Sequence, residues 1–200
     1  MELVFAMHFV PESIQIRLED GTDVLLREAG EKDRERALDA FDRMGPEDVR
    51  MRFWRDLIEL DEDMLDRLVR ADQINHLAWC ALNPDRLDDD PGYAAASVWR
   101  MEDGSGEISI TVLPDYQGRG IGLVLFALMW VLAEVLGMSG LKANVLRTNV
   151  RAVSWFSGLG GEMVGHSQYL EFQFNLSTKV RNDKLAYWLA VFREEFVGCS

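Results

Sequence analysis

Polar and apolar positions alternate strictly over Glu107–Val112. Glu107, Ser109 and Thr111 fall on one face, and Ile108, Ile110 and Val112 on the other, which predicts a half-buried strand that Pro114 ends. Val24–Glu28 reads as another strand, paired with Ser13–Leu18 across the turn at Asp20-Gly21. Asn75–Leu82, Tyr93–Arg100, Leu141–Leu146, Glu162–His166 and Tyr169–Asn175 complete the predicted strands. Between them the period changes. Glu31–Met44 places Ala37, Leu38, Phe41 and Met44 on one helical face, and Gly45-Pro46 breaks that helix and opens the next. Asp61–Ala71 carries Leu65, Leu68 and Val69 at helical spacing, and Asn149–Leu159 is a helix closed by Gly160-Gly161. Asp183–Phe196 lines up Leu185, Trp188, Leu189, Phe192 and Phe196. Strands interleaved with helices predict a mixed α/β fold around one sheet.

One stretch breaks the amphipathic pattern. Gly120–Met138 is apolar on all sides, nearly long enough to cross a bilayer. It contains Glu134, has glycines at both ends and grows out of a polar loop, so a helix buried within a globular core accounts for it. The N-terminal MELVFAMHFVPES lacks a basic region and a small-residue cleavage site, so no secretory signal is expected. The chain has 200 residues, 48% hydrophobic and 28% charged, which suits one domain with a full core. Its formal net charge of −13 argues against nucleic acid as a partner and would attract cations, amines included, although plain solubility is the larger part of its explanation. Cys80 and Cys199 form no CxxC site, and His8, His76 and His166 are scattered. The expectation is a reducing cytoplasm, no metal and no membrane.

The candidate chemistry lies in Gln117-Gly118-Arg119-Gly120-Ile121-Gly122, between a strand and the apolar helix. Glycines let successive backbone N–H groups converge, and the helix adds the positive end of its dipole, which suits a pyrophosphate. A dinucleotide fingerprint needs G-x-G-x-x-G, whereas the glycines here run G-x-G-x-G. A Walker loop needs Gly-Lys-Ser/Thr, which is absent. A helix N-terminus with small residues for close packing is the plainer alternative.

The segment ISITVLPDYQGRGIGLVLFALMWVLAE resembles the acetyl-CoA signature of the GNAT superfamily, Q/R-x-x-G-x-G/A, with Gln117, Gly120 and Gly122 matching. The strand Leu141–Leu146 followed by Asn149, Ala152, Trp155-Phe156 and Gly158–Gly161 resembles the family's continuation, and the close likeness covers about Glu107–Gly165. Met44–Phe53 and Asp61–Asp72 look like parts of bacterial protein-lysine acetyltransferase modules. The resemblance implies a single GNAT domain over 1–200, with a core at about 24–176 and a helical extension at about 177–200. Its sheet would be mostly antiparallel and splayed at the cofactor site, with flanking helices. It implies acetyl-CoA as co-substrate and direct transfer to a primary amine in a ternary complex. Backbone groups of Ile110 and Val112 would pair with the pantetheine arm, and Gln117, Gly118, Arg119, Gly120, Ile121 and Gly122 would hold the pyrophosphate. Asn149 would touch the cofactor near its thiol, with Ser154 and Phe156 lining the same channel.

An alkyl ammonium must lose a proton before it attacks a thioester. Glu107 is the candidate base, with Ser109 and Thr111 able to hold a bridging water and Val112 N–H as oxyanion donor. A solvated carboxylate at a strand end is the alternative for Glu107. The family often has a tyrosine as acid seven residues after the asparagine, where this chain has Phe156. Ser154, Ser157, His166 and Tyr169 are the substitutes at hand, and a CoA thiolate also leaves unassisted. A non-catalytic acyl-CoA-binding module is therefore the alternative function. The acceptor is a small amine or a protein lysine. The stripe on Asp183–Phe196 must cover its own sheet or a second copy, and the residues left after the last expected strand favour a homodimer.

Overall fold

A computed structural model describes residues 11–88 and 90–197. His8 and Cys199 lie outside the described residues. The strands are β1 Ser13–Arg17, β2 Asp23–Glu28, β3 His76–Leu82, β4 Ala94–Arg100, β5 Gly106–Val112, β6 Leu141–Leu146, β7 Glu162–Gly165 and β8 Tyr169–Phe174. The helices are α1 Arg34–Asp42, α2 Pro46–Phe53, α3 Glu62–Val69, α4 Ile121–Val135, α5 Val150–Gly158 and α6 Asp183–Val197. The sheet order is β1-β2-β3-β4-β5-β6-β8-β7. β1–β2, β2–β3, β6–β8 and β7–β8 pair antiparallel, and β5–β6 pairs parallel. The chain divides into two compact units, one holding Glu12–Ser97 and Ile110–Leu125, the other Val98–Ser109 and the chain from Phe126 on.

In the first of these units, β1 and β2 bury alternate residues: Ile14, Ile16, Val24 and Leu26 point inward while Ser13, Gln15 and Arg17 stay exposed. β3 is buried along its whole length, which explains its continuous apolar run. Phe41, Val49, Leu60 and Leu65 form a core under α1–α3, supported by Ala37, Met44 and Leu68. Leu38, expected on that face, is exposed. Asp61 caps α3 by accepting Met64 N–H at 2.8 Å, and Pro46 opens α2. The first turn of the predicted Glu31–Met44 helix is 3-10, with α1 starting at Arg34. Buried Asp33 is matched by Arg27 at 2.6 Å and Arg36 at 3.2 Å.

In the other unit, β6 and β8 alternate in the same way, burying Leu141, Ala143, Val145, Leu170, Phe172 and Phe174. Phe126, Trp155, Phe156, Phe172 and Phe174 pack edge-on and stacked with centroids 4.7–6.0 Å apart. Phe126–Ala133 of α4 are all buried, so this all-round apolar stretch belongs to a core. Among the described residues no helix is long and apolar enough to cross a membrane. The one carboxylate of that helix is matched: Glu134 accepts from Trp130 Nε1 at 2.9 Å and from Arg193 at 2.6 and 3.0 Å.

That ion pair bears on the C-terminal stripe. Leu185, Leu189, Phe192 and Phe196 are buried within the chain itself, and Trp188 is half-buried against Phe192. Asn182 anchors the start of α6, donating to Gly158 O at 3.0 Å and accepting Leu185 N–H at 2.9 Å. The stripe therefore does not supply the dimer surface expected of it. Apolar area of that size is covered by whichever surface lies closest, and here that is the same unit.

Candidate active site

The glycine loop follows β5 through a short 3-10 turn, Pro114–Tyr116. Gly118 and Gly120 have φ of +80° and +94°, and Arg119 between them is on the ordinary negative side. This alternation turns neighbouring N–H groups toward one point, and only glycine adopts such angles without strain. The amides of Gly118, Arg119, Gly120, Ile121 and Gly122 find no acceptor among the described residues, while the first helical bonds of α4 run from Leu123 and Val124 to Gly120 O. A Cβ at either Gly118 or Gly120 would meet no atom within 4 Å, so these glycines serve backbone shape and not tight packing. A cradle of amides at a helix N-terminus fits the diphosphate of a CoA-type molecule. Gln117 does a separate job: its Nε2 donates to Val112 O at 3.1 Å and ties the loop back onto the end of β5. The Arg119 guanidinium lies 5.5 Å over the Tyr116 ring, which packs on Tyr93. Burial raises the Tyr93 phenol above its ordinary pKa, with Tyr116 adding to the effect.

Strand geometry decides which way the backbone polar groups of β5 point. Leu113 N–H donates to Tyr93 O at 2.9 Å, just before β4, and Gly106 N–H donates to Gly140 O at 2.9 Å, just before β6. Backbone polar groups alternate along a strand, so those of Ile110 and Val112 point away from β4, as Gly106's do. This is the edge a pantetheine arm would need.

Glu107 stands at the start of β5, in register with Lys142 of β6. Its Oε1 accepts from Asn144 Nδ2 at 3.1 Å. Lys142 is drawn off by Asp103, whose carboxylate is held well below its ordinary range by Lys142 and by the hydroxyl and amide of Ser105. That pairing raises the Lys142 pKa, with a smaller contribution from Glu171. Asn144 was not among the residues the sequence pointed to. The available signal was an amide on the polar face of an otherwise apolar strand, but its partner is 37 positions away.

The remaining candidates lie on α5. Asn149 is the N-cap of α5: its Oδ1 accepts Ala152 N–H at 3.1 Å, so that oxygen is committed to the helix. Ser154 is exposed whereas Phe156 is buried in the aromatic core. Two positions apart on a helix they face nearly opposite ways. Of the alternative acids, Ser157 is exposed, and His166 stacks on Tyr169 at 4.3 Å on the β7–β8 hairpin.

No family model matches the sequence. A curated acetyltransferase of Pseudomonas aeruginosa is 32% identical over 112 residues, which is 54% of this chain and 58% of that protein. The chain thus spans less than two thirds of that relative's length. The crystal structure of the GNAT domain of S. lividans PAT superposes with a TM-score of 0.76, covering 83% of this chain and 99% of that domain at 19% identity. The chain shares the fold of that GNAT domain. A second structure agrees, that of spermidine N-acetyltransferase from Vibrio cholerae in complex with CoA and spermine, with a TM-score of 0.60 at 14% identity, covering 82% of this chain and 98% of that one. The open mixed sheet with flanking helices predicted from the sequence is the one observed.

Proposed function

We propose that this protein is a GNAT N-acetyltransferase that moves the acetyl group of acetyl-CoA to a primary amine by direct attack in a ternary complex. The observation that carries the reading is the alternating backbone of Gln117–Gly122 at the N-terminus of α4, with its amides left over for an anion. Those amides would hold the diphosphate, and the outward backbone groups of Ile110 and Val112 would pair with the pantetheine arm. Acetyl-CoA would supply the activated acyl group. Glu107 would take the proton from the acceptor ammonium, whose pKa near 10 otherwise keeps it non-nucleophilic at neutral pH. Val112 N–H would stabilise the developing oxyanion. The net charge of −13 supports a cationic acceptor, a polyamine or a lysine side chain.

The test is free-thiol release from acetyl-CoA against a panel of polyamines, amino acids and lysine-containing peptides. Glu107→Gln is expected to lower turnover by roughly 10²–10⁴ near neutral pH, with the loss shrinking as free amine accumulates at higher pH. An absent or pH-independent loss rejects Glu107 as base. One observation favours a second reading, a non-catalytic acyl-CoA-binding module: the position where the family often carries its acid is Phe156, inside the core. CoA binding without thiol release across the panel would select that reading.

A further inference from the structure

The amide of Asn144 makes one hydrogen bond, from Nδ2 to Glu107 Oε1 at 3.1 Å. Its Oδ1 is buried and has no donor among the described residues. A buried acceptor left without a donor is costly and calls for an explanation. The neighbouring charged groups do not provide one. Lys142, in register with Glu107, is ion-paired to Asp103. Glu171, in register with Asn144 on β8, accepts from Gln173 Nε2 at 2.6 Å. Arg100 of β4 donates to Leu136 O at 2.8 Å.

Resting on the reading of Glu107 as base, we propose that Asn144 is a positioning residue that pairs with Glu107 in both of its protonation states. In the carboxylate form Nδ2–H donates to Oε1. When the acceptor's N–H bond breaks and its proton forms an O–H bond at Glu107, the amide turns over about its Cβ–Cγ bond. Oδ1 then comes about where Nδ2 stood and accepts the new O–H. No other hydrogen bond of the amide oxygen is lost in the turn, because it has none. An amide is suited to this, being donor and acceptor at opposite corners of one plane. A general base must spend part of every cycle as an acid, so a partner that fits both forms keeps the carboxyl group oriented throughout.

The first test needs no turnover. The Glu107 carboxyl carbon and the Asn144 side-chain amide are followed by NMR as pH is varied in the protein alone. The expected result is a common midpoint, with the Asn144 signals losing that transition in Glu107→Gln; Asn144 signals that ignore the titration of Glu107 overturn the proposal. The second test is kinetic. Asn144→Ala should lower kcat about tenfold or more while CoA affinity and melting temperature stay near wild type. Asn144→Asp, of the same shape, should move the acid limb of the kcat/KM profile to higher pH, because a second carboxylate beside Glu107 opposes its ionisation. Asn144→Ala as fast as wild type, in an enzyme that Glu107→Gln slows, removes the proposal alone. A Glu107→Gln enzyme as fast as wild type removes the reading beneath it.

Discussion

Gly120→Ala tests the loop most sharply. The new methyl group would meet nothing within 4 Å, so the substitution introduces no clash. What it introduces is strain, since φ is +94° and an L-residue there costs about 1–2 kcal/mol. If the loop keeps its shape, that cost falls on the fold and lowers the melting temperature by roughly 2–8 °C for a chain of this size. If the loop relaxes instead, the cost reappears on binding, and CoA affinity falls roughly 5–30-fold, at about 1.4 kcal/mol per decade. Gly137→Ala is the matched control. Gly137 lies past the other end of α4 with φ +68° and equally open space, so it shares the strain but not the amide cradle. The assay is isothermal titration with CoA alongside thermal melts with and without it. Gly120→Ala should lose affinity or stability with a smaller CoA-induced shift, while Gly137→Ala should lose only stability. A Gly120→Ala protein with wild-type stability, affinity and CoA-induced shift would refute the assignment of the loop.

Four further outcomes follow from packing and charge. Phe156→Tyr should not restore an acid: its hydroxyl would enter the cluster of Phe126, Phe172 and Phe174, and stability should drop by about 1–3 kcal/mol in urea unfolding without a gain in rate. Phe192→Ala should destabilise the fold by about 3–5 kcal/mol with no change in sedimentation, because that ring is buried within its own chain. Burial lowers the His76 pKa despite the opposing pull of Asp72, so the fold favours neutral imidazole. The unfolded chain therefore takes up the proton first, and stability should fall as pH drops below about 6.5, a dependence that His76→Leu should flatten in denaturation midpoints. Asp72 acts lower: burial opposes its ionisation, but the amides of His76, Ile74 and Asn75 hold it at about 2, so its contribution is lost only between about pH 4 and 2.

Local chemistry fixed much of this molecule in the sequence. The boundaries of β6 were legible to the residue, and those of β3, β5 and α5 to within one, because alternation, glycine pairs and an asparagine cap act over a few neighbouring positions. The loop was legible for the same reason: Gly118 and Gly120 adopt backbone angles that their own lack of a side chain permits. The apolar run of α4 announced burial on nearly all sides, though not what would satisfy Glu134, which waits for Arg193, 59 positions on. The decisions left to tertiary structure all concern segments far apart in the chain. Whether the α6 stripe covered its own unit or a second copy could not be read from its period, since periodicity reports that a face is apolar and not what meets it. β8 lies between β6 and β7 because strand pairing depends on the path of the whole chain. Phe156 meets Phe126, Phe172 and Phe174, from α4 and β8, only once those elements are folded together. Asn144 gained its meaning only when β6 came beside β5 and set an amide against Glu107, a contact that no window of sequence contains.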